Sequence, residues 1–293
     1  MEKGVRPCWV FDGKPPEEKQ KTLAERKKRK EDAEINKQAA QEEGDAEKVL
    51  KYAGMSVRVT SQMQADAKEI VRLLGLPVVE APSEAEAQCS VLCRSGKVYA
   101  TATEDMDCLT FECPILLRDF ASKDDPVIEL KLEEILKGLG VDMDQFIDIC
   151  ILCGCDYADS IDGIGPITAH KLILEHKNIE GVLAYIEEKN KDPKKKKKYT
   201  YNQENFDYES ARKLFKKPET TDPESIELKW SAPDYEGLKK FLVEGKNFNE
   251  QRIESAIKRI ESAKQKSNQG RLDSFFKPKP QVEATPTGKR KVL

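Results

Sequence analysis

Short apolar runs that stop at carboxylates constrain this chain more than any other feature. Cys8-Trp9-Val10-Phe11 ends at Asp12-Gly13-Lys14-Pro15-Pro16, and Lys97-Val98-Tyr99-Ala100-Thr101-Ala102-Thr103 ends at Glu104-Asp105-Met106-Asp107. Each reads as a buried strand followed by a break. Between them, Glu69 to Gly75 has helical spacing ending in glycine, Pro77-Val78-Val79-Glu80 reads as a strand, and a helix starts at Ser83. Alternating strands and helices predict an α/β fold with a mostly parallel central sheet flanked by helices. In such sheets the ligand crevice lies beyond the carboxyl ends of the strands, where Asp12, Asp105 and Asp107 fall.

Carboxylates brought together repel and raise one another's pKa, so a fold that converges them needs compensating positive charge. Oxygen donors suit Mg²⁺ or Mn²⁺, and the chain's two histidines, His170 and His176, lie outside the acidic clusters. Asp105 and Asp107, two apart in an extended segment, would point the same way, as ligands to one ion require; an acidic surface turn is the competing reading. Ser83-Glu84-Ala85-Glu86 matches a capping box, with Ser83 as cap and Glu86 reaching back. Glu84 and Glu86 project about 200° apart on a regular helix, so both face one ion pair only at a helix end or through water.

Cys150-Ile-Leu-Cys153 has C-x-x-C spacing, with Cys155 beside it, among eight cysteines. Flanking Phe146, Ile147, Ile149, Ile151 and Leu152 favour a buried helix in which thiols act as small hydrophobes. No second such pair completes a zinc site. With no secretory signal at the start and no membrane-length apolar run, the chain reads as soluble and intracellular with reduced thiols.

Charge is nearly balanced, 50 Lys and Arg against 53 Asp and Glu, so the net value of -3 does not announce a nucleic-acid partner. Distribution is more telling. From Glu17 to about Val49 good helix formers run without a wide apolar stripe, which predicts a projecting helix, with Gly44 or Gly54 marking its turns. It carries Lys14, Lys19, Lys21, Arg26, Lys27, Lys28, Arg29 and Lys30, a stretch that is either a solvated face or a phosphate-backbone binder.

After Leu132 the pattern turns helical over 132–139, 143–153, 167–176, 179–188, 208–215, 235–243 and 249–263. Gly154-Cys155-Asp156 leads to Gly163-Ile164-Gly165-Pro166, a turn whose proline opens the next helix and whose amides could hold a phosphate. Lys194 to Lys198 read as a solvated loop, and the chain beyond Lys264 as a disordered tail. Within that tail, Phe275 and Phe276 have no core to join and suit docking into a partner's pocket.

Taken in order, Val10-Phe11-Asp12-Gly13-Lys14-Pro15-Pro16, Ala81-Pro82-Ser83-Glu84-Ala85-Glu86-Ala87, Ala102-Thr103-Glu104-Asp105-Met106-Asp107 and Gly163-Ile164-Gly165-Pro166 closely resemble the eukaryotic flap endonuclease family of XPG-type nucleases. The resemblance implies a two-metal phosphodiesterase that cuts at the junction of a duplex and a displaced 5′ flap, with 5′–3′ exonuclease activity. Its biological roles would be Okazaki-fragment maturation and long-patch base excision repair. The implied ligands are Asp12, Glu84 and Glu86 at one Mg²⁺ and Asp105, Asp107 and Asp156 at the other, with Mn²⁺ able to substitute; Glu104 is not carried over. Two ions about 3.5–4 Å apart would activate water and stabilise the leaving oxygen.

The projecting segment, 17–62, resembles the family's helical arch, with Lys19, Arg26 and Arg29 steering the phosphate. The turn at Gly163 resembles its helix-two-turn-helix element, implying potassium on backbone oxygens of Ser160, Ile161 and Ile164 and duplex contacts at Gly154, Gly163 and Gly165. The expected organisation is a nuclease core over 1–153, a helical DNA-binding part over 154–263 and a tail over 264–293. Gln269, Leu272, Phe275 and Phe276, in segment 269–276, resemble the peptide that docks on the sliding clamp, proliferating cell nuclear antigen. A monomer in the nucleoplasm and nucleolus is implied, with a mitochondrial pool left open. Relatives begin with a further segment carrying a first strand and another aspartate ligand. This motivates a second expectation: a shortened, catalytically weak form that still binds DNA and the clamp.

Overall fold

The computed structural model describes residues 5–122, 125–191, 199–203 and 205–265. Two compact units emerge, a large one over 8–233 and a smaller one that takes its described residues from 5–7 and 234–265. The expected lysine loop at 194–198 and the clamp-type residues Gln269, Leu272, Phe275 and Phe276 lie outside the described residues.

In the larger unit, β1 (Trp9–Phe11) pairs in parallel with β2 (Val78–Glu80), and β3 (Thr101–Ala102) pairs in parallel with β4 (Ile115–Arg118). A strand not foreseen from sequence, β5 (Ile128–Lys131), runs antiparallel to β4. The fold is α/β with mostly parallel pairing, divided among the described residues into a two-stranded and a three-stranded sheet. The run 97–103 gives only two strand residues: Ser95 and Gly96 close a helix with bonds back to Val91 and Cys93, and Tyr99 stays 59% exposed.

Between β1 and β2 the chain makes α1 (Gln20–Glu42), α2 (Ala46–Met55) and α3 (Ser61–Leu73). Gly44, at φ +72°, turns the chain, and the Asp45 side chain caps α2 through the Lys48 amide; Gly54 lies inside α2 and marks no turn. Only Ala33 and Ala40 of α1 are fully buried, as its polar sequence predicts.

The core of this unit joins the strand-bearing and helical parts. Cys108, Phe111 and Leu116 pack in one cluster with Ile147, Ile151 and Leu152 of α7 (Met143–Cys153), Ile173 of α8 (Pro166–His176), Ile179 of α9 (Ile179–Lys191) and Phe215 of α10 (Tyr208–Lys216). Each of the leucine, isoleucine and phenylalanine side chains contributes about 1.5–3 kcal/mol by leaving water. Asp148 of α7, 3% exposed, receives a two-point hydrogen bond from Arg212 at 2.8 and 2.9 Å and the Ile179 amide at 3.0 Å, fixing three helices together. α4 (Ala85–Arg94), α5 (Asp107–Thr110) and α6 (Leu132–Leu139) complete the unit. The smaller unit holds α11 (Tyr235–Lys239), which continues as a π-helical turn over Lys240–Glu244, and α12 (Glu250–Gln265).

Candidate metal centre and nucleic-acid interface

The parallel pairing of β1 with β2 sets Asp12 beside the start of α4. Gly13 donates to the Ser83 carbonyl at 2.8 Å and Lys14 to the Pro82 carbonyl at 3.1 Å, so the two strand exits are stitched together. A Cβ on Gly13 would stand 2.1 Å from the Ala81 oxygen and 2.5 Å from that of Pro82, so only glycine permits this approach. Asp12 Oδ1 then accepts the Ala85 amide at 3.0 Å, supplying negative charge to the positive end of the helix.

This corrects the expected capping box. The cap is Glu84, without a side-chain cap bond, and Asp12 from a distant strand takes an amide instead. Because Glu84 is the cap and Glu86 lies in the first turn, the 200° separation of a regular helix does not apply between them. Ligand oxygens of Asp12, Glu84 and Glu86 all lie within 4.8 Å of one another.

Asp105 and Asp107 are not in an extended strand. They flank a turn into α5, and Asp105 Oδ1 accepts the Asp107 amide at 2.9 Å, the local hydrogen bond that makes aspartate favourable in turns. Asp156 lies in the turn after α7, and the core holds it close. Phe215 contacts Phe111, just after α5, at 5.2 Å and Tyr157 at 5.1 Å between centroids, so one aromatic side chain fixes the segments carrying Asp107 and Asp156. Glu104 points elsewhere, accepting Arg118 at 3.3 Å and the Asp119 amide at 2.9 Å.

Electrostatics link the two sets of acids. Burial, then the charges of Asp105 and Asp156, push the Asp107 carboxyl up to about 7; Lys19 opposes this and Glu86 adds to it. Glu86 is also raised, first by burial, with Asp12, Asp105 and Glu84 contributing. Lys19 stands between the sets, with Nζ 2.6 Å from Glu84 Oε2 and 3.3 Å from Asp156 Oδ2. Burial alone would lower its pKa, but the hydrogen bond and charge of Glu84, then Asp156, raise it. Arg26 adds two contacts to Asp156 at 2.6 and 2.9 Å, and Thr22 donates to the Asp156 carbonyl at 2.9 Å.

The basic stretch is therefore only partly a free cationic face. Lys19, Lys21 and Arg26 bind Glu84, Asp159 and Asp156, whereas among the described residues Arg29 reaches only Glu25, at 3.4 Å, and is largely exposed. The donor set fits a hard divalent cation: all its members are carboxylates, burial and then like-charged neighbours raise the pKa of two of them, and Lys19 and Arg26 already occupy the places of counter-charge.

The second expected element is a turn between helices. α7 ends at Gly154, at φ +101°, and α8 opens with Gly165 as cap and Pro166 in its first turn. Gly163, at φ +83°, makes the bend, and the Ile164 amide bonds the Ile161 carbonyl at 3.1 Å. Ile161 and Ile164 are buried and Ser160 exposed; Ile167, at the helix start, is 88% exposed. Cys150 and Cys153 pack partly buried beside the core, with burial raising both thiols, and among the described residues the group of potential metal ligands that converges is the carboxylate triad.

Residues 75–156 match the XPG I-region and residues 1–33 the XPG N-terminal domain. Flap endonuclease 1 of Tetrahymena thermophila is 50% identical over 96% of this chain and 73% of its own length. Flap endonuclease 1-A of Sorghum bicolor is 51% identical over 95% and 71%. The chain belongs to the flap endonuclease family. The solved flap endonuclease-1 from Methanococcus jannaschii matches with a TM-score of 0.62 at 31% identity, over 88% of this chain and 76% of that one. The catalytic core of Rad2 in complex with DNA substrate matches at 0.67 and 25%, over 89% and 80%. Thr22 and Tyr157, which hold the segment carrying Asp156, have no signature in sequence; Gly13, directly after Asp12, has one.

Proposed function

We propose that this chain is a Mg²⁺-dependent, structure-specific nuclease that hydrolyses the phosphodiester where a duplex meets a displaced 5′ flap, and that also removes nucleotides from 5′ ends. The observation that carries the reading is the closure of Asp12, Glu84 and Glu86 to within 4.8 Å, with Asp105 and Asp107 in electrostatic contact with Glu86, and Asp156 with Asp107. Asp12, Glu84 and Glu86 would hold one divalent ion and Asp105, Asp107 and Asp156 a second. When bound, such ions supply an activated water and stabilise developing charge on the attacking and leaving oxygens.

The protein's own part is positioning. Lys19 and Arg26, which here pair with Glu84 and Asp156, would present charge-assisted donors to the phosphate of the reacting group once those carboxylates held divalent ions. Arg29, exposed higher on α1, draws in the single strand. The amides at Gly163 and Gly165, with Gly154, approach the duplex backbone. Backbone oxygens of Ser160, Ile161 and Ile164 are the proposed potassium donors. The role in replication and long-patch repair, nuclear residence, and monomeric action on the sliding clamp through Gln269, Leu272, Phe275 and Phe276 belong to the same proposal and rest on the family.

The test is cleavage of a 5′-flap duplex with Mg²⁺ by the chain and its Asp105→Ala variant. The reading expects cuts at the junction and loss of cleavage in the variant. Equal rates refute it.

A further inference from the structure

A cleft adjoins the acidic centre and shares Glu84 with it. Its cavity of about 180 Å³ is bounded by Pro16, where the chain leaves β1 for the arch, and by Leu214 and Pro218. That is several times the roughly 30 Å³ share of one water, enough for a ring-sized group. The far wall is fixed: Gln88 of α4, fully buried, donates to the Thr221 carbonyl at 3.1 Å and accepts the Thr221 amide at 2.7 Å. The segment that follows α10 is thereby tied to the helix that carries Glu84 and Glu86.

Lys213, on α10, and Lys217, one helical turn on, also line this cleft. Both are exposed, and neither forms an ion pair among the described residues, unlike Lys19, Lys21 and Arg26. Two carboxylates in the lining, Glu18 and Glu219, make it a poor site for a bare anion. Apolar walls, acceptors and paired cations together match a nucleotide: its ring packs on proline and leucine, its exocyclic amino groups meet carboxylates, and its phosphate meets lysine.

We propose that this cleft holds one nucleotide of the single strand beside the cut phosphodiester, with Lys213 and Lys217 on its phosphate. The inference rests on the nuclease reading above and deepens it. Continuity with Glu84 fixes the occupant, because a strand whose phosphate lies at Glu84 and Asp156 must place a neighbouring nucleotide within reach of Pro16.

The test is binding of 5′-flap DNA and of plain duplex, measured by anisotropy in EDTA across about 50–200 mM salt. The Lys213→Gln/Lys217→Gln double variant is compared with the wild type and with Lys137→Gln/Lys229→Gln, which removes two exposed lysines elsewhere. Each lysine lost from a single-strand phosphate lowers the salt slope by about 0.7, so the cleft variant should lose about 1.4 on flap DNA and nothing on duplex. The control should keep both slopes, and an unchanged melting temperature shows that the cleft variant is folded. An unchanged flap slope in that variant overturns the cleft assignment while leaving the nuclease reading intact. A wild type that binds flap DNA no better than duplex overturns both.

Discussion

The Lys19 ammonium lies 2.6 Å from Glu84 and 3.3 Å from Asp156, bridging two carboxylates that are far apart in sequence and belong to the two proposed metal sites. Tyr157 adds a cation–π contact at 6.0 Å. A cation held so firmly among acids is pre-placed for a phosphate that arrives with metal.

Lys19→Ala should therefore lower flap cleavage by about 10²–10³-fold, the usual effect of losing one preorganised donor to transition-state charge. Binding of flap DNA, which draws on many phosphate contacts, should change far less. Single-turnover rates and anisotropy on the same variant separate the two; equal losses in both would show that Lys19 serves binding alone.

Gly13→Ala tests the stitching of the strand exits. The added methyl would meet the Ala81 and Pro82 oxygens at 2.1 and 2.5 Å, so the backbone must shift and the Gly13–Ser83 bond lengthen. A destabilisation of about 1–3 kcal/mol is expected from overpacking, together with weakened divalent-metal binding as Asp12 moves. Denaturant melts and metal titration check both parts.

Asp107 makes metal-free stability depend on pH. The unfolded chain releases this proton near the ordinary 3.8, but the folded one holds it up to about 7, so between those values the folded state binds more protons. Stability from this group is full at low pH and falls as pH rises towards 7. In chelator, melting temperature should decline over that window for the wild type, and Asp107→Asn should flatten the decline.

Asp148→Ala leaves Arg212 and the Ile179 amide without their buried acceptor. Breaking such a pair costs about 3–5 kcal/mol. Urea unfolding should show a loss of this size, and hydrogen exchange should place it in α7, α9 and α10.

The sequence was most legible where local rules dominate. The apolar-to-acid transitions at Phe11–Asp12 and Thr103–Asp107 located the carboxylates, and Gly165-Pro166 located the start of α8. Periodicity gave α6, α7 and α10 nearly to their observed bounds. Non-local partners were hidden. Ser83 and Glu86 satisfy the capping-box pattern, yet Asp12, 73 residues from Ala85, takes the amide. The strand pattern over 97–103 lost to the helix closure at Gly96, and β5 depends on pairing with β4, which no local signal announces. The basic run leading into and along α1 concealed that Lys19 and Arg26 face acids rather than solvent, since their partners come from elsewhere in the chain.

Counting free Mn²⁺ by electron paramagnetic resonance as the ion is titrated into the wild type, Glu86→Gln and Asp107→Asn tests the carboxylate centre most directly. Saturable binding by the wild type is predicted, tightening from pH 6 towards about pH 8 as Asp107 gives up its proton, with each variant weaker by about tenfold or more. Absence of saturable binding, or equal affinity in all three proteins, would contradict a shared metal centre built from these acids.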